Sequence, residues 1–354
     1  MSPHRTCPLT ALPDPVTRFA AALLILALAA FAGAGDAARG VIHRDGVAPL
    51  NAWIILENLD GVRYSIDKDG IQVAEFKRGK YIKVEFKDES DNKAYENGLK
   101  EIAKERYDTA VKMFENAVRL SKTFWVPERA LLKLAECHLA LGKPDAALAA
   151  VAQFEKQTPR SVLLGRAITL RGRAALALKK PEDATAAATA LESRAELGAE
   201  APIQAKVLKA GAARAGAKPA DAAALLETVF TPDTAKLMPN DWAEIGLTLA
   251  TDLAAASRSD AAYAVVRQLA YSGLDDSVAA RAHLSWALLL GNANAAAAAA
   301  AFDHAALATT YAKGLPSVNT PATALVKRLA SQLDKDPAVS AEDKREYRIY
   351  AGKF

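Results

Sequence analysis

The chain has 354 residues, of which 51% are hydrophobic and 6% aromatic, with 45 Lys and Arg against 41 Asp and Glu. This composition excludes a disordered or collagen-like chain and indicates one or two ordered domains with a sizeable core, mostly helical because alanine is abundant. The formal net charge of +4 is too weak to indicate nucleic acid as a partner.

The first 38 residues have the layout of a secretory signal. Arg5 and Arg18 precede an unbroken apolar run of 14 residues from Phe19 to Ala32, and small residues follow it. A helix that spans a bilayer needs about 20 residues. We therefore expect a cleaved signal over residues 1–38 and an exported protein, periplasmic or extracellular. The alternative is an uncleaved signal that tethers the protein to the membrane.

Cleavage would remove Cys7 and leave Cys137 as the single thiol of the mature chain. An intramolecular disulfide is then excluded. Cys137 lies in an apolar helical stretch, LLKLAECHLALG. We expect it to be a small buried hydrophobic residue and not a reactive nucleophile.

Residues 39–90 are predicted to form a small β module. Polar and apolar residues alternate between Trp53 and Phe86, and Asp-Gly pairs at 60–61 and 69–70 predict tight turns. A small antiparallel sheet or SH3-like barrel of about four or five strands is expected. The predicted alternating apolar positions are Val62, Tyr64, Ile66, Ile82, Val84 and Phe86.

The same module carries a run of basic residues. Their expected role is a solvated strand face, and the alternative is contact with an acidic partner or a cell-wall component. These residues are Lys77, Arg78, Lys80 and Lys83.

From residue 91 the apolar period changes from two to 3.6, and the sequence repeats itself. LALGKPDAA at 139–147 recurs as LALKKPEDA at 176–184 and more loosely as RAGAKPADA at 214–222. Such periodicity predicts a helical solenoid over residues 91–335, with a tail or capping helix at 336–354. The equivalent alanines recur every 34 to 40 residues, at Ala110, Ala147, Ala184, Ala222, Ala262 and Ala296.

The residues around the first equivalent alanine indicate which solenoid this is. Gly98, Tyr107, Ala110, Phe114 and Ala117 fall at the spacing of the tetratricopeptide pattern. The chain thus resembles the tetratricopeptide repeat (TPR) family, whose unit is a helix-turn-helix of 34 residues. The resemblance implies an α-solenoid of antiparallel helix pairs, so the predicted fold is mostly α, preceded by the small β module.

A search for catalytic or metal-binding motifs finds little. The sequence has no P-loop, no G-x-S-x-G elbow and no dinucleotide-binding glycine fingerprint, and no cysteine pair to complete a zinc site. No two of the histidines His43, His138, His283 and His304 are four residues apart. We therefore expect no catalytic residue, no metal and no cofactor.

The resemblance implies a concave groove lined by the first helix of each repeat. Three arginines among the groove positions would suit an extended peptide or a C-terminal carboxylate. The paired Lys and Asn of the family's peptide-carboxylate clamp are absent, so that particular ligand class is not supported. The positions are Asn92, Tyr95 and Leu99 in the first repeat, Arg129, Leu132 and Glu136 in the second, and Arg166, Thr169 and Arg173 in the third.

The predicted function is a noncatalytic, exported scaffold or adaptor that binds a protein or peptide partner in this groove. One alternative is a subunit of an envelope assembly, in which the β module binds wall or membrane components. Another is an enzyme with a site assembled from scattered residues. The sequence indicates no particular oligomeric state.

The signal can be tested on the native protein. Small residues at Ala32, Ala34 and Ala38 each provide a cleavage position. Mass spectrometry should therefore find an N-terminus between Gly33 and Arg39, whereas an intact Met1 would contradict cleavage.

Overall fold

The computed structural model describes residues 37–68, 72–87, 92–291 and 294–354. Most of the predicted signal segment and the predicted turn at 69–70 lie outside these residues. Contacts divide the chain into two compact units. The first contains the described residues up to 87 together with Lys122–Phe124, and the second contains the rest.

The first unit is a five-stranded antiparallel sheet with strand order β4-β3-β2-β1-β5. The first four strands follow one another as a meander, and β5 returns to pair with β1. The strands are β1 (Ala38–Arg44), β2 (Val47–Asn58), β3 (Gly61–Ser65), β4 (Val73–Lys77) and β5 (Lys83–Phe86).

The core of the sheet follows the predicted alternation only within the strands. Val62, Tyr64 and Val84 are buried together with Ile54 and other apolar residues. Ile66 and Ile82 are 69% and 61% exposed, and both lie just outside strand ends. Both were predicted as strand residues, and each lies one residue outside its strand, where the side chain is exposed.

Strand β1 was not predicted, and it begins at Ala38, which is buried. A cut after Ala32 or Ala34 would leave β1 whole, whereas a cut after Ala38 would remove its first residue.

Three of the four residues of the basic run have partners within the sheet unit. Lys77 lies 2.7 Å from Glu75, and Lys83 lies 3.4 Å from Glu85. Arg78 donates a hydrogen bond of 3.3 Å to the Tyr81 hydroxyl. All of these basic side chains are exposed, as is Lys80. The arrangement is that of a solvated strand face.

The second unit is helical, with fifteen α-helices in its described residues, which confirms the predicted mostly helical fold preceded by a small sheet. None of the described helices combines the length and apolar character needed to cross a bilayer. The helices are α1 (Lys93–Ile102), α2 (Tyr107–Leu120), α3 (Trp125–Ala140), α4 (Pro144–Gln157), α5 (Leu164–Ala177), α6 (Pro181–Glu192), α7 (Glu200–Ala215), α8 (Pro219–Glu227), α9 (Pro232–Leu237), α10 (Pro239–Ala255), α11 (Ser259–Ala270), α12 (Asp276–Leu290), α13 (Ala295–Tyr311), α14 (Pro316–Lys335) and α15 (Ala341–Ala351).

The helix pairs pack through small residues. At Gly172 on α5 an added Cβ would lie 2.5 Å from the side chain of Leu208 on α7. A side chain at this position would require Leu208 to move. Five of the predicted repeat alanines are fully buried: Ala110, Ala147, Ala184, Ala222 and Ala262.

The sixth predicted repeat alanine is wrong by two residues. Ala296 is exposed, whereas Ala298 is fully buried. Residues 295–301 are all alanine, so the sequence there has no pattern from which the helix phase can be taken. The widest spacing, between Ala222 and Ala262, spans the short extra helix α9.

The turn inside each of the first five repeats uses a left-handed backbone residue at an equivalent position. The φ angles lie between 56° and 67° at Glu105, Gly142, Lys179, Ala217 and Ser257. Only one of the five is glycine, although this conformation costs other residues about 1–2 kcal/mol.

We expect Ala217→Gly to stabilise the protein by about 0.5–1 kcal/mol, since relief of the left-handed strain exceeds the extra entropy that glycine adds to the unfolded chain. The matched control is Ala152→Gly at an exposed position inside α4, which should destabilise by about 0.5–1 kcal/mol. Chemical denaturation of both variants measures this. A loss of stability in Ala217→Gly would contradict the strain argument.

Candidate functional site

A cavity of about 770 Å³ lies on the first helices of successive repeats. Its walls come mainly from α3, α5, α7 and α10. A second depression, of about 310 Å³, shares Arg173, Gln204, Asp241 and Glu244 with the cavity and therefore continues it. Together they form a groove along three helices, α5, α7 and α10.

Four of the nine predicted groove residues line this cavity: Glu136, Arg166, Thr169 and Arg173. Thr169 is only 5% exposed, and its hydroxyl donates a hydrogen bond of 2.9 Å to the carbonyl of Gly165. The charged side chains therefore provide most of the polar surface at this wall.

The other five predicted residues are not among the residues that line the cavity. Asn92 and Leu132 are buried, so they present no surface to a ligand. Leu99 lies on α1 and is exposed, but it does not line the cavity. Tyr95 packs edge-on against Phe114 and Trp125, and Arg129 stacks over the Trp125 ring at 5.5 Å.

Arg129 does not line the cavity that Arg166 and Arg173 line. The Trp125 ring occupies the same helix one turn earlier and holds the Arg129 guanidinium by a cation-π contact. Leu132 is covered because α3 packs against helices on both of its sides.

Glu136 and Arg166 form the central ion pair of the cavity. Arg166 donates from Nε to Glu136 Oε1 at 2.8 Å and from Nη2 to the same oxygen, and Lys133 Nζ lies 2.8 Å from Glu136 Oε2. Burial alone would raise the pKa of Glu136, but Arg166 and Lys133 outweigh it and hold that pKa below its ordinary value. Burial would likewise lower the pKa of Arg166, and Glu136 raises it instead. Both groups stay charged.

A second group of polar contacts lies on α10, which the sequence prediction missed. Arg173 Nη2 lies 3.6 Å from Asp241 Oδ1, and Gln204 Nε2 donates to the same oxygen at 3.1 Å. Arg281 pairs with Glu244 at the next turn of α10. Asp241 stands in the first turn of a helix that begins at Pro239. The sequence signal that could have found Asp241 is the Pro-Asn-Asp start of this helix. The insertion of α9 places that start outside the regular spacing of the repeats.

Cys137 also lines the cavity, and it is fully buried as predicted. Burial, with a smaller effect from Glu136, raises the pKa of its thiol to about 11. The thiol is therefore protonated at neutral pH and is a poor nucleophile. Within the described residues, no group of three or more His, Cys, Asp or Glu is placed to hold a metal ion.

Comparison with known proteins identifies the repeats. Residues 101–165 match the family model for the tetratricopeptide repeat. This segment carries the tetratricopeptide repeat. A thermophilic TPR protein of Thermus thermophilus aligns with 67% of this chain and 99% of its own, with 18% identity and a TM-score of 0.38. Among curated proteins, none matches the sequence.

The tetratricopeptide repeat suggests a scaffold for protein–protein interaction, and proteins of this family are generally noncatalytic. The cavity lies on the first helices of successive repeats, and such helices form the concave surface of a repeat solenoid.

A separate cluster of titratable groups lies away from the cavity, on α12 and α13. His283 Nδ1 and His304 Nδ1 are 3.0 Å apart, and the Trp286 ring stacks on His304 with centroids 4.0 Å apart. Tyr311 stacks on His283, and Tyr271 meets it edge-on. Burial, assisted by His304, lowers the pKa of His283 to about 4, and burial also lowers the pKa of His304.

We expect acid to destabilise the protein through this histidine pair. The folded state keeps His283 neutral, whereas the unfolded chain binds a proton near pH 6.5. The stability is therefore complete above about pH 6.5, and about 3 kcal/mol of it is lost as the pH falls from there to about 4. Melting temperatures across this range measure the effect.

A double variant separates this pair from other acid effects. His283→Phe with His304→Phe should flatten the pH dependence between about pH 4 and 6.5. An equal slope in the double variant and the parent would contradict the assignment.

Proposed function

We propose that this TPR protein is a noncatalytic, exported scaffold that binds an extended peptide segment of a protein partner in the cavity on α3, α5, α7 and α10. The observation that supports this best is the cavity itself, whose walls are successive repeat helices carrying fixed charged side chains above an apolar floor. Sites built on helices hold their side chains more rigidly than sites on loops.

The dimensions also support a peptide as the ligand. The main cavity falls within the range of ordinary ligand sites, about 300–1,000 Å³, and the second depression extends it along α7 and α10. An extended segment can occupy both, whereas a small molecule would fill only one.

Export is the second part of the proposal. The residues that support it are the basic, apolar and small-residue segments of positions 1–38, and the N-terminal mass measurement described above tests it.

The binding surface can be tested with two exposed alanines. Ala140 is exposed at the end of α3 and lines the cavity, whereas Ala152 on α4 is also exposed and does not line it. A photo-crosslinking amino acid placed at either position would identify proteins bound nearby. The partner recovered is then purified for affinity measurements.

We expect crosslinks from position 140 and not from 152. Ala140→Trp should weaken the purified partner's binding at least about tenfold, because the indole fills space needed by the peptide, and Ala152→Trp should change it less than about twofold. Both variants should melt like the parent, since surface substitutions alter stability by about 0.5 kcal/mol or less. Equal crosslinking from both positions, or full affinity in Ala140→Trp, would place the interaction on another surface.

A further inference from the structure

The arginines of the cavity are already neutralised by carboxylates of the chain. Arg166 binds Glu136 through two nitrogens, and Arg173 pairs with Asp241. A ligand carboxylate would have to displace an internal carboxylate of the same charge from either arginine. The exchange replaces one ion pair by another and leaves a carboxylate of the chain without its partner.

The charges in and around the groove balance. The described lining of the cavity carries two arginines and four carboxylates, and the carboxylates are Glu136, Glu200, Asp241 and Glu244. Lys133 and Arg281 contact Glu136 and Glu244 from outside that lining, and Arg214 of the second depression is paired with Asp252. The groove therefore has no excess of positive charge that would attract an anionic group.

Gln204 supplies a separate observation that points to a hydrogen-bond donor. Its side chain is 8% exposed and lines both the cavity and the second depression. The amide nitrogen donates a hydrogen bond of 3.1 Å to Asp241 Oδ1. Oε1 accepts no hydrogen bond from the residues that the structure describes. A buried acceptor without a donor is unfavourable, and the broad terminal torsion of glutamine allows Oε1 to turn towards a donor in the groove.

Asp241 adds acceptor capacity at the same place. Its side chain is 39% exposed, and its contacts with Arg173 and Gln204 both fall on Oδ1. A carboxylate offers about four lone-pair sites on its two oxygens. Asp241 can therefore accept from a ligand while it keeps both internal contacts.

The groove beside these acceptors is apolar. Leu176, Val207 and Ile245 line the second depression next to Gln204 and Asp241. Lysine and arginine bury an aliphatic stem along such a surface while the charged end reaches polar groups. The combination of acceptors and apolar floor matches that kind of side chain.

We infer that the cavity recognises a peptide segment carrying a lysine or arginine, whose charged end binds between Asp241, Glu244 and Gln204 while its stem lies on the apolar floor. This inference rests on the proposed function, because it names the chemistry of the peptide held in the same cavity. It requires a cationic group on the ligand, whereas the three arginines of the sequence predicted an anionic one.

The test uses the full chain and three libraries of acetylated and amidated nonapeptides. The libraries have mixed flanking residues and a fixed central lysine, glutamine or glutamate. A fourth library carries a free C-terminal carboxylate. Fluorescence anisotropy gives the affinity of the best members of each library. We expect lysine-centred peptides to bind at least about tenfold more tightly than glutamate-centred or carboxylate-ended ones, with an affinity that falls as salt is raised.

Asp241→Asn keeps the size of the side chain and removes its charge, so it should reduce the preference for lysine to less than about threefold. The matched control is Glu227→Gln, whose carboxylate is also paired with an arginine, Arg258, and is 40% exposed, but does not line the groove. This control should keep the full preference.

Two results would overturn the inference, and they differ in what they say about the proposed function. Tightest binding by glutamate-centred or carboxylate-ended peptides, or an unchanged lysine preference in Asp241→Asn, would overturn the inference alone if Ala140→Trp still blocks binding. Failure of every library to bind, or binding that Ala140→Trp does not reduce, would overturn the proposed function and the inference with it.

Discussion

The close approach of helices at small residues is the constraint on which the helical unit depends. Ala147 and Ala184 have no accessible surface, and a Cβ on Gly172 would lie 2.5 Å from Leu208. Such contacts bring neighbouring helices near enough for larger residues, such as Phe154 and Leu191, to fill the space between repeats. They also set the first helices side by side, and the cavity exists because those helices then form one wall.

The repeats could be predicted from sequence because each one uses the same local devices. Pro144 and Pro181 both begin second helices, where a missing amide proton costs nothing, and the small residues recur at matching distances. The prediction was wrong at Ala296, because a run of alanines does not show which residue faces the neighbouring helix. It was also wrong at Ile66, because the alternation of polar and apolar residues continues beyond the end of the strand. Periodicity reports which face a side chain is on, but it does not report whether another element covers that face.

The candidate site was predictable only in part, for a related reason. Helix positions placed Glu136, Arg166 and Arg173 on the first helices, where the structure has them. The sequence does not show that Arg166 meets Glu136 from the preceding repeat, or that Arg173 meets Asp241 after the insertion of α9. The charge of an isolated arginine indicates an anionic ligand. The charge of a paired arginine does not, because its carboxylate partner lies close to the same surface.

The internal pairs also affect how tightly the groove can bind. Arg166 and Glu136 are held in place by each other and by Lys133, so a ligand finds these side chains already ordered. Less side-chain entropy is then lost on binding than at a groove of mobile surface charges. The same pairs make the arginines poor competitors for a new carboxylate, since each would give up an existing partner. A preordered wall with spare acceptors therefore favours donors, and its selectivity arises from the pairing of the chain's own charges.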